Sequence, residues 1–392
     1  VAATDILDEL EWRGLIAHST DLDALRAEMA EGPVSYYVGF DPTAPSLHMG
    51  NLVQLMVART LQRAGHRPLL LVGGSTGLIG DPKAAGERIL NSKETVAGWV
   101  AGIQRQVERF LDFSGPNAAR LVNNLDWTAG MSALDFLRDI GKNFRVGTMV
   151  KKEIVAKRLN SDEGISYTEF SYQVLQGNDF LELHRRHGVT LQTGGSDQWG
   201  NLTAGTELIR KVEGTHAHAL GTPLITNADG TKFGKSEGNA VWLDAEMCSP
   251  YAFYQFWLNT ADADVVDRLK VFTFLTRAEI EEYAQKVADE PFRREAQKRL
   301  AWEVTALAHG EETTTKVIEA SQAVFGGGDL TTVDPDTLTA VLAELPQADR
   351  TQWEGEPGTV TAVELLVSTG LVASRSEARR TVRDGGASVN NV

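Results

Sequence analysis

Apolar positions in the first 220 or so residues alternate between short β-prone runs and segments with helical periodicity, as in an α/β domain with a mostly parallel sheet. The clearest unit is a strand at 36–40, a helix from about 50 to 64 and a strand at 69–72. Gly65 is well placed to cap the helix, and the glycine-rich segment 73–77 permits close backbone approach to a ligand. This strand–helix–strand unit predicts a nucleotide-binding domain.

Helical periodicity dominates the rest of the chain. Residues 92–112 and 132–160 are predicted to be helices, and the stretch 249–323 is predicted to be almost wholly helical. Three glycines at 326–328 then break the chain. An acidic, polar stretch leads from there to a last small module that begins near residue 360.

Length and composition restrict the class of protein. A chain of 392 residues is long enough for roughly two or three domains, and no apolar run approaches the ~18 residues of a membrane-spanning helix. The first residues turn polar at once, so no secretory signal is expected. Cys248 is the only cysteine, which excludes an intrachain disulfide and fits a reducing cytoplasm. The net charge of −15 argues against nucleic-acid binding over the whole surface, but not against local basic patches.

Two segments have residues suited to binding phosphate. Pro42–Asn51 lies where a strand gives way to a helix, whose N-terminus favours anions, and Thr43 and His48 can donate hydrogen bonds. In Asp229–Ser236, two lysines three positions apart can close over a polyphosphate. Taken singly, each has a plainer explanation: an ordinary helix start for the first, and an exposed turn with solvated lysines for the second.

Together, the two segments resemble the signatures of class I aminoacyl-tRNA synthetases, the first at His48–Asn51 and the second at Lys232–Ser236. The chain is further similar to the bacterial-type tyrosine enzymes of that family. Four more motifs carry this similarity: Tyr37–Thr43, Leu78–Pro82, Tyr167–Gln173 and Gly194–Asn201. The resemblance implies an ATP-dependent ligase that activates L-tyrosine as its adenylate and then transfers it to a tRNA.

The resemblance also implies a pocket for tyrosine. Tyr37 and Asp179 would bind the phenolic hydroxyl as donor and acceptor, and phenylalanine would leave both groups unpaired. Asp81, Tyr172 and Gln176 would bind the ammonium, with Asn124 and Gln192 nearby. Positions 172, 176 and 179 share one face of a helix, which supports a single site, although an amphipathic helix with a polar stripe has the same spacing.

For catalysis, the resemblance implies positioning and charge stabilisation rather than a strong general base. The implied catalytic residues are Thr43, His48, Gln198, Lys232 and Lys235. The implied ATP-binding residues are Gly39, Asp41, Gly50, Asn51, Gly195, Asp197, Lys232, Lys235 and Ser236. Mg²⁺ is expected to arrive with ATP rather than to occupy a protein site, and Lys83 and Arg88 are further candidates for reaching phosphate.

Two positions depart from the family pattern. Asn51 stands where a second histidine is usual, and its amide N–H can replace an imidazole donor. Val38 has no polar atom where some relatives have a cysteine near the ribose, so that hydrogen bond is expected to be missing.

The resemblance implies an order of domains. A Rossmann-type α/β catalytic domain is expected at 1–236, with a connecting and dimerisation insertion near 130–170, followed by a helical anticodon-region domain at 237–325. A linker at 326–358 would lead to a small α+β, ribosomal-protein-like RNA-binding module at 359–392, expected to be truncated. Four arginines would bind RNA in this module: Arg375, Arg379, Arg380 and Arg383. A solvated basic helix would explain them equally.

The expected partners are tyrosine, ATP, the tRNA and a second copy of the chain, in the cytoplasm and away from membranes. For the stretch 130–170, interior packing is the alternative to a dimer interface. A tryptophan-specific relative is the nearest alternative function, but an indole offers only a donor to Tyr37 and Asp179. The alternative from another class is a noncatalytic RNA-binding protein on a synthetase scaffold, against which His48, Lys232 and Lys235 speak.

Overall fold

The computed structural model describes residues 5–83, 86–231, 233–236, 239–326, 328–347 and 360–387, with the backbone alone at 235, 236, 239 and 326. The chain divides into two compact units. The first comprises Val1–Met247 and Thr260–Ala296, and the second comprises Cys248–Asn259 and Gln297–Val392. The domain boundaries predicted at 236, 325 and 358 stay predictions.

The secondary structure of the described residues is mostly helical. The helices are α1 (Ile6–Trp12), α2 (Leu22–Glu31), α3 (Met49–Arg63), α4 (Thr76–Ile79), α5 (Lys93–Val107), α6 (Leu125–Thr128), α7 (Ala133–Asp135), α8 (Val146–Met149), α9 (Glu153–Leu159), α10 (Tyr167–His187), α11 (Trp199–Glu213), α12 (Pro250–Leu258), α13 (Asp262–Phe272), α14 (Arg277–Asp289), α15 (Glu295–His309), α16 (Glu311–Gly326), α17 (Pro335–Ala343), α18 (Ala362–Ser368) and α19 (Arg375–Arg383). The strands are β1 (His18–Ser19), β2 (Ser35–Phe40), β3 (Arg67–Val72), β4 (Arg120–Asn123), β5 (Val189–Gly195), β6 (His218–Thr222), β7 (Lys235–Ser236) and β8 (Asn239–Ala240). Among the described residues, no helix combines the length and the apolar character needed to cross a bilayer.

A six-stranded sheet in the order β1-β6-β5-β2-β3-β4 forms the centre of the first unit. Only β1 pairs antiparallel, with β6, and the other neighbours are parallel. The predicted mostly parallel α/β sheet is confirmed. The chain leaves β2 towards β3 on one side and later returns to β5 on the other, so the order reverses at β2. In open parallel sheets, ligands bind at the carboxyl ends of the strands beside such a reversal.

The predicted strand–helix–strand unit is present as β2, α3 and β3. The strands are buried because both faces of the sheet are covered, and α3 buries one apolar side. At the start of α3, the His48 side chain accepts a hydrogen bond from the Gly50 N–H, and the Asn51 side chain accepts one from the His48 N–H. This reciprocal cap fixes where the helix begins.

The stretch 132–160 was expected to be helical, and the structure corrects this prediction. It contains only short pieces: α7, a π-helical turn at Phe136–Ile140, a 3-10 turn at Gly141–Asn143, α8 and α9. Phe144 and Lys152 have extended backbones that interrupt the helices. The break at Phe144 puts its ring against Gly177 of α10, where an added Cβ would lie 2.8 Å from the ring. Distant contacts therefore override the local helical pattern.

Helices α12 to α16 confirm the helical prediction for 249–323. Helix α5 confirms the prediction at 92–112 but ends at Val107. In the second unit, α18 begins with a capping box at Thr361 and Glu364 and contacts α19. No strand is seen in this last part of the described chain, within 360–387.

Gly205 of α11 lets this helix pack closely against α10, next to the sheet. Its substitution gives a prediction for stability. An added Cβ at Gly205 would lie 2.8 Å from the ring of Phe180, which is fully buried and contacts Tyr37 edge-on. We expect Gly205→Ala to lower the free energy of unfolding in urea by about 1–3 kcal/mol through overpacking. Gly98→Ala on α5 is the matched control, since its added Cβ has no described atom within 4 Å apart from its chain neighbours and the backbone of its own helix. That control should gain roughly 0.5–1 kcal/mol from helix propensity, and equal effects at both sites would contradict the prediction.

Candidate active site

A cavity of about 610 Å³ opens at the carboxyl ends of β2 and β5, where the order of the strands reverses. Its wall brings together most of the residues predicted for the site: Tyr37, Gly39, Asp41, Thr43, His48, Gly50, Asn51, Asp81, Tyr172, Gln176, Asp179, Gln192, Gly195, Asp197 and Gln198. These residues come from segments up to 161 positions apart in the chain, from Tyr37 to Gln198. The parallel sheet and α10 therefore assemble one polar site from distant motifs.

Tyr37 and Asp179 lie at the buried end of this cavity. Asp179 accepts hydrogen bonds on both oxygens, at 2.8 Å from Trp127 Nε1 and at 3.0 Å from Asn124 Nδ2. Burial raises the pKa of Asp179 to about 7, and these hydrogen bonds oppose the shift. The Tyr37 hydroxyl is buried and has no hydrogen-bond partner among the described residues. A fixed acceptor and an unpaired hydroxyl suit a ligand group that both donates and accepts.

Asn124 lies behind the wall of the cavity rather than in it. Its amide nitrogen also reaches Thr76 Oγ1 at 3.0 Å, and its Oδ1 accepts from the Ser75 N–H at 2.7 Å. The side chain therefore orients Asp179. Trp127, which the sequence reasoning missed, does the same. A buried tryptophan indole usually has a hydrogen-bond partner. This requirement is the only hint in the sequence that Trp127 contacts a polar group.

Carboxyl groups concentrate around Tyr172 in the middle of the cavity. Its hydroxyl donates to Asp41 Oδ2 at 2.6 Å, and Thr76 Oγ1 donates to Asp41 Oδ1 at 2.6 Å. Burial raises the pKa of Asp41 to about 6, and burial also raises the pKa of Asp81. A cation placed here would favour the ionised form of both groups. Asp41, predicted to line the nucleotide cleft, is thus also the group that holds Tyr172.

Three glutamines complete this region. Gln176 Oε1 and Gln192 Oε1 are buried acceptors with no hydrogen-bond partner within the part of the chain that the structure describes. Gln198 is paired: its Nε2 donates to Asp81 Oδ2 at 2.8 Å, and its Oε1 accepts from Asn201 Nδ2 at 3.0 Å. Asn201 is the last residue of the Gly194–Asn201 motif, and the sequence does not predict its contact with Gln198.

The start of α3 presents His48 to the outer part of the cavity. Because His48 Nδ1 accepts the Gly50 N–H at 3.0 Å, the neutral ring carries its proton on Nε2. Burial lowers the pKa of His48, which favours this neutral form. An added Cβ at Gly50 would lie 2.8 Å from His48 Cε1, so glycine is required for this orientation.

Asn51 uses its carbonyl oxygen in the cap, accepting from the His48 N–H at 3.1 Å. Its amide nitrogen therefore points away from the helix start and is able to donate elsewhere. That this amide N–H stands in for an imidazole donor stays a prediction.

Backbone hydrogen bonds through Val241 connect the second signature, Lys232–Ser236, to the first, His48–Asn51. Val241 N donates to Gly234 O at 3.0 Å, and Met49 N donates to Val241 O at 3.0 Å. Gly234 has a φ of 84° and lies so close to Met49 that an added Cβ would come within 2.7 Å of the methionine Cβ. Lys232 lies outside the described residues, and the side chains of Lys235 and Ser236 are not described.

Of the two further phosphate candidates, Arg88 lines the cavity and donates through Nε to the Asp81 carbonyl at 2.8 Å. Lys83 does not line the cavity. The four predicted RNA-binding arginines lie on α19 in the second unit and are all exposed. These arginines do not line the cavity.

Comparisons with known proteins identify the family. A family model described as class I tRNA synthetases (W and Y) matches residues 29–326. The chain is 67% identical over 388 residues to a tyrosine–tRNA ligase of Leifsonia xyli subsp. xyli, covering 99% of this chain and 86% of that protein. It is 61% identical over 390 residues to a tyrosine–tRNA ligase of Streptomyces avermitilis, covering 99% and 91%. A crystal structure of a C-terminally truncated mitochondrial tyrosyl-tRNA synthetase from Coccidioides posadasii has a TM-score of 0.72 at 32% identity, covering 81% of this chain and 92% of that chain. The chain therefore belongs to the class I tRNA synthetases of the tryptophan and tyrosine group, and within that group to the tyrosine–tRNA ligases.

Proposed function

We propose that this chain activates L-tyrosine with ATP and transfers it to the 3′ end of its tRNA. The observation that carries the proposal is the pair at the buried end of the cavity, the Asp179 carboxyl fixed by two donors beside the unpaired Tyr37 hydroxyl. Together they can accept the phenolic proton and donate to the phenolic oxygen. An indole would satisfy only the acceptor, so the pair favours tyrosine over tryptophan.

The substrate ammonium would bind among Asp81, Tyr172 and Gln176. Burial and mutual repulsion make ionisation of the carboxyl groups here unfavourable, and a cationic ammonium would relieve that cost. The unpaired Gln176 Oε1 offers an acceptor in the same region. Asp41 would act through Tyr172 by fixing the direction of its hydroxyl.

In the first step, the tyrosine carboxylate would attack the α-phosphorus of ATP, and pyrophosphate would leave. The nucleophile is already ionised, so orientation and charge stabilisation would supply the rate enhancement. Gln198 would orient the carboxylate. His48, through its Nε2–H, and Thr43 would donate to the phosphate oxygens, while Mg²⁺ would enter bound to ATP.

Binding of the rest of ATP completes the proposed first step. Lys232 and Lys235 would stabilise the departing pyrophosphate, with Ser236 beside them. Gly39, Gly50 and Gly195 would let the nucleotide approach the backbone, Asn51 would donate from its amide, and Asp197 would bind the ribose. In the second step, a terminal ribose hydroxyl of the tRNA would attack the adenylate carbonyl and release AMP.

Exchange of pyrophosphate into ATP, measured with each of the twenty amino acids and without tRNA, tests the proposal. We expect strong exchange with tyrosine and at most trace exchange with the other amino acids, because other side chains leave the phenol-binding pair unsatisfied. Exchange with tryptophan instead would contradict the assignment of Tyr37 and Asp179. Folded protein that supports no exchange would favour a noncatalytic RNA-binding protein. As a control, Lys235→Ala should lose exchange while tRNA binding persists.

For tRNA binding, we propose the helical stretch 237–325 for the anticodon region and the module at 359–392 for further RNA contacts, joined by a linker at 326–358. Arg375, Arg379 and Arg383 are spaced four apart on α19, so one side of the helix can face phosphates, with Arg380 beside them. Since the relatives are bacterial tRNA ligases, we propose the cytoplasm as the site of action.

We further propose that the chain forms a homodimer through part of the stretch 130–170. Ile140 and Met149 of this stretch are buried, and Phe170 packs against the same core, so part of the stretch is interior. Five apolar side chains are nevertheless exposed, namely Leu134, Leu137, Val146, Leu159 and Tyr167. Exposed apolar side chains concentrated in one short stretch favour a protein interface.

Substitution at Leu137 gives a prediction for assembly. We expect sedimentation equilibrium to give twice the chain mass of 42.7 kDa for the unaltered protein. Leu137→Asp should shift the protein towards monomer, because burying a carboxylate in an apolar interface is unfavourable. Phe292→Asp, at a residue that is 77% exposed on another element, is the matched control and should stay dimeric. A monomeric unaltered protein would refute the proposed homodimer.

A further inference from the structure

Hydrogen bonds connect the Lys152 side chain, through the amides of Asn201 and Gln198, to the Asp81 carboxylate. Asp81 lies in the region proposed to bind the ammonium group of the substrate. Lys152 Nζ donates to Asn201 Oδ1 at 3.0 Å. Asn201 Nδ2 then contacts Gln198 Oε1 at 3.0 Å and Asp81 Oδ1 at 3.3 Å. Gln198 Nε2 closes the chain on Asp81 Oδ2 at 2.8 Å. Both oxygens of the half-buried Asp81 carboxylate therefore accept from amides, and this network ends at Lys152.

The chemistry of these groups gives the chain a direction. A lysine ammonium only donates hydrogen bonds, whereas an asparagine side chain has one accepting and one donating end. Lys152 therefore selects Asn201 Oδ1, which forces Nδ2 towards Asp81 and Gln198. Gln198 must in turn present its oxygen to Asn201 and its nitrogen to Asp81. Reversing either amide would bring two oxygens against each other.

The local structure is built to let Lys152 reach Asn201. Lys152 has an extended backbone just before α9, and its side chain passes over the start of α11. An added Cβ at Gly200 would lie 2.9 Å from Lys152 Cε and 3.1 Å from Nζ. Glycine at 200 thus leaves room for the lysine. Burial lowers the pKa of Lys152 to about 7, with the charge of Asp81 opposing the shift, so placing the lysine here costs free energy.

We propose that Lys152 is a positioning residue for amino-acid binding: through Asn201 it fixes the amide orientations of Asn201 and Gln198 and thereby the carboxylate of Asp81. This inference rests on the proposed function, in which Asp81 binds the ammonium and Gln198 the carboxylate of tyrosine. Lys152 does not itself touch the substrate. The positive charge of Lys152 would weakly repel the substrate ammonium. Removing Lys152 should therefore raise the KM for tyrosine if the lysine orients the amides, and lower it if repulsion dominates.

The experiment measures tyrosine-dependent pyrophosphate exchange for the unaltered chain, Lys152→Met and Lys151→Met. Lys151 is exposed and adjacent, and it makes a matched control. We expect Lys152→Met to raise the KM for tyrosine roughly 10-fold, as for loss of one hydrogen bond, with the KM for ATP unchanged. Lys151→Met should leave both constants unchanged.

Two inhibitors separate positioning from general damage. Tyramine retains the ammonium and the phenol, whereas 4-ethylphenol retains only the phenol. We expect Lys152→Met to weaken inhibition by tyramine, but not inhibition by 4-ethylphenol. Gly200→Ala keeps the lysine and displaces it, and it should raise the KM for tyrosine in the same way without reducing the urea midpoint of unfolding.

The outcomes distinguish this inference from the proposed function. An unchanged or lowered KM for tyrosine in Lys152→Met would overturn the inference and leave the function intact. Equal weakening of tyramine and 4-ethylphenol would also overturn it, since the phenol end lies outside the chain of hydrogen bonds. Absence of exchange in the unaltered protein would overturn the proposed function, and the inference with it.

Discussion

Asp179→Asn is expected to lower kcat/KM for tyrosine activation by about 100-fold or more. The carboxylate accepts from Trp127 Nε1 and Asn124 Nδ2, one donor on each oxygen. An asparagine offers a single oxygen, so its NH₂ would oppose one of these donors and the phenol would lose an acceptor oxygen. Leaving buried polar groups unpaired costs on the order of 1–3 kcal/mol each, and more when a charge is involved. Exchange kinetics with tyrosine and phenylalanine measure the effect.

The comparison with phenylalanine makes the Asp179 experiment specific. The variant should lose most of its preference for tyrosine, while its low activity with phenylalanine changes little. Glu182→Gln, one turn further along α10 and paired with Arg185 and Arg186, is the matched control and should stay within about 3-fold of the unaltered chain. A uniform loss with both amino acids would point to damage to the ATP side instead.

Stability against pH gives an independent check on the same variant. Burial raises the pKa of Asp179 to about 7, above the unfolded-state value of about 4. Its contribution to stability is therefore fully present below pH ~4 and is lost as the pH rises through about 7. Asp179→Asn removes this titration. Between about pH 5 and pH 8, we expect the unfolding free energy to fall less in the variant than in the unaltered chain.

Arg158→Met is expected to lower the free energy of unfolding in urea by about 3–5 kcal/mol, the usual result of breaking a buried ion pair. Arg158 and Glu169 are each 2% exposed, and Arg158 Nη2 lies 2.8 Å from Glu169 Oε2. The guanidinium also donates to the carbonyls of Lys83, Gly86 and Gly164. Methionine fills a similar volume but leaves the Glu169 carboxylate buried beside three unpaired carbonyls.

A double variant separates the charge from the packing. Arg158→Met with Glu169→Met removes the stranded carboxylate, so it should be more stable than Arg158→Met alone. Arg138→Met, in an exposed pair with Asp139, should show no measurable loss of stability. Glu169→Met also removes the acceptor of the Arg88 N–H. If the double variant is no better than the single one, the unpaired backbone groups rather than the charge dominate.

Local pattern was enough to predict the elements whose structure is decided locally. Tyr36–Phe40 and Leu69–Val72 are uninterrupted apolar runs, and the helix between them has a clear start at His48 and Asn51. The stretch 132–160 could not be predicted in this way. Phe144 is extended because it packs on Gly177, and Lys152 because it reaches Asn201. Neither partner is near in sequence.

The same distinction applies to the candidate site. The family motifs located its wall, but motifs do not say which wall residues bind each other. That Asp41 holds Tyr172, and that Trp127 holds Asp179, depends on the register of the sheet and on where α6 begins. These pairings follow from three-dimensional packing, and no spacing in the sequence encodes them.

The reciprocal cap at the start of α3 restricts which sequences can keep this chemistry. Position 51 must supply an acceptor for the His48 N–H and still carry an N–H on its other side. Histidine and asparagine both meet this demand, which explains how the usual second histidine is replaced here by Asn51. Aspartate would preserve the helix start but lose the donor, and alanine would lose both. Substitutions at positions 48 and 51 are thus expected to be correlated, because the same pair of hydrogen bonds fixes both the first turn of the helix and the orientation of the imidazole.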